Sequence, residues 1–138
     1  MRIIGLDLGE KRIGVAAADD RTPVAVPVGT VEADGDAVGV VRRLVEEQQA
    51  DEVVIGLPLS MTGAMGPQAQ QAMNVVEALR ERLEVPVYTW DERLTTVQAS
   101  RSLGASRRGR REKQKGARDA IAAAILLQAY LDSRRRPD

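Results

Sequence analysis

An aspartate inside the first apolar run is the feature that most restricts what this chain can fold into. Residues 1–18 read as two strands joined by a tight turn at Leu8-Gly9-Glu10-Lys11. Ile3, Ile4 and Leu6 are apolar on both parities, as in a strand covered on both faces. Asp7 ends that strand. A carboxylate in such a place is costly unless a positive charge meets it. A metal ion and a lysine or arginine are both open as partners, and a turn-capping or salt-bridged Asp is the plainer alternative.

The residues that are missing narrow the chemistry. The chain of 138 residues contains no cysteine and no histidine. Disulfides, thiolate metal sites, thiol nucleophiles and imidazole bases are therefore excluded. Carboxylates, Lys, Arg, Ser, Thr or a metal must carry any reaction. Ligands limited to oxygen favour magnesium, manganese or calcium over zinc or copper. The length suits one domain, 1–138, with a real core. No signal peptide and no membrane-length apolar run is visible, so a cytoplasmic, soluble protein is expected.

Net charge is zero but unevenly spread. Residues 101–138 hold eleven Lys and Arg against four Asp and Glu, so a polyanion would be drawn to the C-terminal third. Tyr88, Trp90 and Tyr130 are the only aromatic residues, too few for a surface that reads bases by stacking.

The pattern predicts strands over about 2–8, 11–18 and 23–31, the third an edge strand because of Pro23 and Pro27. Asp34 or Asp36 would cap a helix to about 49, with Val38, Val41, Leu44 and Val45 inward. A short strand in 51–58 stops at Pro58. A second helix, about 67–84, would bury Ala72, Val75, Val76, Leu79 and Leu83, and a fifth strand covers 86–90. A short helix over about 94–103 precedes a basic stretch, 105–116, with no apolar period, which reads as a mobile loop. The last helix, about 117–133, would turn Ile121, Ala122, Ile125, Leu126 and Ala129 to the core. The order βββαβαβαα implies an α/β fold: a mixed five-stranded sheet with helices on both faces.

Three acids end core elements: Asp7, the pair Asp91 and Glu92, and Asp119, which opens the last helix. Crossovers bring the ends of parallel strands to one rim, where α/β sites lie. Carboxylates meeting there would repel, and divalent cations would relieve them and could bracket a phosphodiester.

The motifs Gly5-Leu-Asp-Leu-Gly-Glu-Lys-Arg-Ile-Gly-Val-Ala16, Val54-Ile-Gly-Leu-Pro-Leu59 with Gly63, Asp91-Glu-Arg-Leu-Thr-Thr96, and Lys115-Gly116 with Asp119-Ala-Ile-Ala-Ala123 closely resemble the YqgF/RuvX family. These are pre-16S rRNA nucleases, also called Holliday junction resolvase-like proteins. The resemblance spans almost the whole chain. It implies a ribonuclease H-like fold and Mg²⁺- or Mn²⁺-dependent phosphodiester hydrolysis, with RNA at the 5′ end of the 16S precursor as substrate. It places catalytic and metal-binding roles on Asp7, Glu92 and Asp119, with Asp91 the second choice for the middle acid. Related junction resolvases carry an acid at the end of the fourth strand, where this chain has Gly56-Leu57-Pro58. Strand parity puts Asp91 with Val87 and Thr89, and Glu92 with Tyr88 and Trp90.

Other residues have paired readings. Lys11 and Arg12 could hold substrate phosphate, neutralise Asp7, or be solvated hairpin charges. Gly5, Gly9 and Gly14 could serve turns alone; they also resemble the first phosphate loop of actin-like and sugar-kinase ATPases, which need two such domains where 138 residues supply one. Arg93 could meet a scissile phosphate or form a salt bridge. Arg107, Arg108, Arg110, Arg111, Lys113 and Lys115 are expected to bind a nucleic-acid backbone. The 56–66 stretch lacks the ending of a P-loop, which argues against ATP hydrolysis. Competing functions are a dimeric resolvase of branched DNA and a non-catalytic RNA- or ribosome-binding protein. Oligomeric state, monomer or homodimer, is open.

Overall fold

Alternation of side chains along the first strand decides which elements it joins. In the computed structural model, which describes residues 1–95 and 115–135, β1 (Arg2–Leu8), β2 (Arg12–Asp19) and β3 (Thr22–Glu32) form an antiparallel meander. β4 (Glu52–Leu57) lies parallel to β1, and β5 (Val87–Asp91) parallel to β4. The sheet order is β3-β2-β1-β4-β5. Helices α1 (Ala37–Gln48) and α2 (Pro67–Arg82) supply the crossovers and cover one face. A 3₁₀ turn, Glu92–Leu94, follows β5, and α3 (Lys115–Arg135) covers the other face. The mixed five-stranded sheet expected from the sequence is present. From residue 96 the expected helix over 94–103, and the basic stretch up to 114, lie outside the described residues. Lys115 and Gly116, expected in a loop, open α3.

Local chemistry starts and stops the helices. The Asp36 carboxylate accepts from the Gly39 backbone N–H at 3.1 Å and caps α1. The helix stops at Gln49 in a left-handed conformation, φ 52°. Pro67 opens α2, where its missing N–H costs nothing.

Each face of the sheet has its own core. Ile4, Leu6, Ile13, Val15, Val53 and Ile55 pack under α1 and α2 with Val41, Leu44, Val76 and Leu79. Val40 is buried, while Val38, Val75 and Leu83, expected in the core, are only half-buried at its margin. The face toward α3 is built of small residues: Ala16 and Ala18 join that core, and Gly5, Gly14 and Gly56 lie directly against α3 or Glu92. A Cβ on Gly5 would stand 2.8 Å from Leu127 Cβ. The helix therefore lies close to the strands.

This close approach corrects the expected phase of the last helix. Ala120, Ala123, Ala124, Leu127 and Leu131 are buried, with Leu126 and Tyr130 beside them. Ile121, Ala122, Ile125 and Ala129, assigned inward from sequence, are half-buried. Apolar residues run all round this helix, so periodicity cannot phase it. The glycine-lined sheet selects the stripe whose first half is alanine.

The far end of α3 is pinned by a buried charge. Glu52, 4% exposed, is the one buried charged residue among those described. Tyr130 donates its hydroxyl to Glu52 Oε2, and Arg134 Nη1 donates to the same oxygen at 2.7 Å. The exposed edge of the sheet is closed by a side chain from the same helix. Where the β2–β3 register shifts, Gln128 accepts from the Ala25 N–H at 2.8 Å and donates to the Pro23 carbonyl at 3.3 Å. With Pro23 and Pro27 it blunts an edge that would otherwise recruit another strand.

Candidate active site

Asp7 sits on the α3 side of β1, in line with Ile3 and Gly5. Its direct partner across the β1–β2 ladder is Gly14. Its neighbour on β4, one step beyond the Leu6–Ile55 pair, is Gly56. Each glycine leaves a space that another acid fills. A Cβ on Gly14 would fall 2.0 Å from the backbone carbonyl oxygen of Asp119. A Cβ on Gly56 would fall 2.6 Å from Glu92 Oε2. Real Cβ atoms do not approach other heavy atoms so closely: at Gly14 the obstacle is backbone, so the position requires glycine, whereas at Gly56 the Glu92 side chain would have to move aside. Of the three glycines in the first motif, only Gly9 serves the turn, donating to the Arg12 carbonyl at 2.9 Å. Gly5 and Gly14 lie mid-strand and admit α3, which corrects their assignment to turns. The bare strand end at Gly56 is likewise room for a side chain arriving from β5.

The two acids at the end of β5 are turned to different tasks. The Asp91 carboxylate caps the 3₁₀ turn by accepting from the Arg93 N–H at 3.0 Å, and it pairs with Arg93 Nη2 at 2.6 Å. The guanidinium holds its carboxyl below the usual carboxylate range. Arg93 also donates from Nη1 to the Met61 carbonyl at 3.2 Å, tying the 58–66 loop to the strand end. Glu92 instead reaches over Gly56 toward Asp7. Strand parity does not settle the choice, because the strand stops at Asp91 and Glu92 begins a 3₁₀ turn.

Asp7 lies between two cavities. It lines a cavity of about 180 Å³ with Gly9, Glu10, Lys11, Arg12 and Asp119. It also lines a larger one, about 700 Å³, with Glu92. Arg12 Nε donates to Asp119 Oδ2 at 3.2 Å. The carboxylates thus approach in pairs that share Asp7. Among the described residues, no three Asp or Glu side chains are close enough to enclose one ion as they stand. The three-way convergence expected from the sequence is replaced by two pairwise approaches, with Arg12 as the cation at Asp119. Lys11 lies at the turn beside them, and Arg107, Arg108, Arg110, Arg111 and Lys113 lie outside the described residues.

Burial and like charge store repulsion here. Burial pushes the Asp7 carboxyl up, and Asp119 adds to it. Burial, then Asp7 and Asp91, pushes Glu92 up to about 7 from 4.5. Between those two values the folded protein keeps a proton that the unfolded chain has released. Metal-free stability therefore falls as pH rises through that window. Glu92→Gln removes this loss: in chelator at pH 8 its Tm should exceed the parent's by roughly 2–5 °C, with little difference at pH 4.5. Parallel Tm curves for the two proteins across that range would refute the repulsion.

The donor set is carboxylate oxygen alone, in a chain without His or Cys, which suits a hard divalent cation. A mixed five-stranded sheet in this order, with helices on both faces, is the fold of the ribonuclease H-like class. Fowlpox virus resolvase, solved with Holliday junction DNA, shares it at TM-score 0.66 and 11% identity, covering 99% of this chain and 100% of the other. Thermus thermophilus RuvC, solved with a Holliday junction substrate, does so at TM-score 0.59 and 15% identity, covering 97% and 95%. Within that class the chain belongs to the RuvX family, described as Holliday junction resolvase, which matches residues 1–133. A relative from Caldanaerobacter subterraneus is 42% identical over 137 residues, 98% of this chain and 99% of its own. Another, from Chloroflexus aggregans, is 45% identical over 140 residues, covering 98% and 96%. Both carry the name "Putative pre-16S rRNA nuclease".

No described helix is long and apolar enough to cross a membrane. Sequence reading missed Gly14 and Gly56 as the positions that admit the other two acids. The signal was there, small residues on one parity of three adjacent strands, but only the crossing of α3 gives it meaning.

Proposed function

We propose that this protein is a divalent-metal-dependent nuclease that hydrolyses RNA phosphodiesters at the 5′ end of the 16S rRNA precursor. One observation carries the reading: glycines on both sides of Asp7 leave the space in which Glu92 and Asp119 approach it. The relatives' names and the family's description point to the same chemistry.

Asp7, Glu92 and Asp119 would hold Mg²⁺ or Mn²⁺, which when bound supplies Lewis-acid polarisation of the phosphate and an activated attacking water. Asp7 is the common member, so it would be a ligand together with either neighbour. Arg12, paired with Asp119 in the metal-free protein, would turn to a phosphate oxygen as the cation takes its place. Lys11 lies on the same side and adds attraction for the backbone. Arg93, held by Asp91 and the Met61 carbonyl, orders the rim loop, with its link to a phosphate secondary.

The test is cleavage of 16S precursor fragments, unrelated RNA and four-way junction DNA side by side, with Mn²⁺, Mg²⁺ or chelator. Preferred, metal-dependent cutting of the precursor supports the reading. Preferred cutting of the junction by a dimer would replace it with the resolvase activity that names the family. Absent cutting of all three would leave a binding protein, and metal-independent cutting would remove the cation from the reading.

The basic stretch 105–116 is assigned to backbone attraction on its charge. Replacing Arg107, Arg108, Arg110 and Arg111 by Gln should weaken single-stranded RNA binding. It should also flatten the slope of log affinity against log salt by up to about 3, some 0.7 for each phosphate no longer neutralised. Fluorescence anisotropy across a salt series measures this, and an unchanged slope would remove the stretch from the binding surface.

A further inference from the structure

The two cavities that meet at Asp7 differ in charge. The small one sets the cations Lys11 and Arg12 beside Asp7, Glu10 and Asp119. The large one, about 700 Å³, has no Lys or Arg in its lining and carries Asp7, Glu10, Asp36 and Glu92. Apart from the cation that Asp7 and Glu92 would hold, it offers a phosphate group no positive partner, whereas an uncharged, flat group needs none. Its inner surface is apolar, formed by Leu8, Ala33, Val38, Ala72 and Val75. Its outer wall is a row of amides on α2: Gln68, Gln71 and Asn74, three residues apart on one helix face. An amide both donates and accepts, which suits the edge of a nucleobase. The volume lies within the roughly 300–1,000 Å³ of pockets that take a small ligand.

We infer that the cavity between α1 and α2 receives the unpaired base of the nucleotide next to the scissile phosphate, with Gln71 as a specificity-determining residue at its mouth. This rests on the nuclease reading above and adds the orientation of the strand. Phosphates run on the Lys11 and Arg12 side of Asp7, and one base turns to the opposite side. A base held in a duplex cannot turn in without being unpaired and unstacked, so the site selects single-stranded substrate.

The experiment uses the full chain in chelator, so that binding is read without cleavage. Single-stranded RNA and DNA oligonucleotides carry 2-aminopurine at one position at a time. A base leaving its stacked neighbours brightens. One position, or two adjacent ones, should brighten several-fold on binding, and the same sequence in a duplex should not. Gln71 is exposed on α2, so its substitution spares the core. Gln71→Trp fills the mouth and should abolish the positional signal while anisotropy still reports binding. Gln71→Ala should keep the signal but reduce the preference among bases placed there. No brightening at any position, or the same brightening in Gln71→Trp, overturns the pocket. RNA and DNA arms tell whether the sugar contributes. Mn²⁺-dependent cleavage of the same strands is scored separately. Positional brightening without cleavage would fault the nuclease reading alone, and cleavage without brightening would fault the pocket alone.

Discussion

Asp7→Asn should lose cleavage by about 10³-fold or more, roughly 4 kcal/mol of barrier, while the folded protein becomes more stable. Two consequences of one carboxylate separate here. As a ligand, Asp7 is shared by both acid pairs, so its loss leaves Glu92 and Asp119 without a common partner. As a half-buried charge, it is pushed up first by burial and then by Asp119. An amide of the same shape carries neither penalty. In chelator at neutral pH the Tm should therefore rise, while activity with Mn²⁺ disappears. Saturating Mn²⁺ should stabilise the parent more than the variant, because binding to the folded state alone adds stability. Thermal melts with and without metal, beside a cleavage assay, check all three. A variant that still cuts would move the chemistry away from this rim. A variant that loses activity only because it melts earlier would make Asp7 structural.

The second large effect is structural. Gly14→Ala adds one methyl group where the Asp119 carbonyl oxygen stands, 2.0 Å from the new Cβ. The obstacle is backbone at the start of a helix, so no rotamer change relieves it. Either α3 lifts from β2 or the strand bends. The expected cost is roughly 3 kcal/mol or more, against a total stability that is commonly 5–15 kcal/mol. For a chain of this size that is a Tm lower by about 10 °C. Cleavage should fall further than stability alone predicts, because the displaced segment carries Asp119. Gly66→Ala is the control: nothing lies within 4 Å of the added carbon, and the N-cap loss costs about 1 kcal/mol. Equal melting temperatures for Gly14→Ala and the parent would show that α3 does not press on β2.

How much of this was legible beforehand varies along the chain. The meander and the two crossovers were readable because the strands are apolar or alternate and are separated by turn residues or helical periods. The Asp36 cap, the stop at Pro58 and the start at Pro67 are chemical punctuation, which needs no tertiary context. The phase of α3 was not readable, because Ile121, Ile125 and Ala129 are as apolar as Ala124 and Leu127. Glu52 was also missed. A lone Glu at the start of a strand gives no sign that Tyr130 and Arg134, more than 70 residues away, will meet it.

At the rim the division is sharper. Amino-acid types alone determined that any bound metal must use oxygen ligands, since no imidazole or thiolate exists in the chain. They also set Asp7, Glu92 and Asp119 at the ends of their elements. Which side chains face one another was decided only when α3 crossed the small-residue face of the sheet. There, steric exclusion at Gly14 and Gly56 sets where Asp119 and Glu92 can stand, and the pairing of Asp91 with Arg93 leaves Glu92 to face Asp7. Distances between residues so far apart along the polymer are set by packing, which no local pattern encodes.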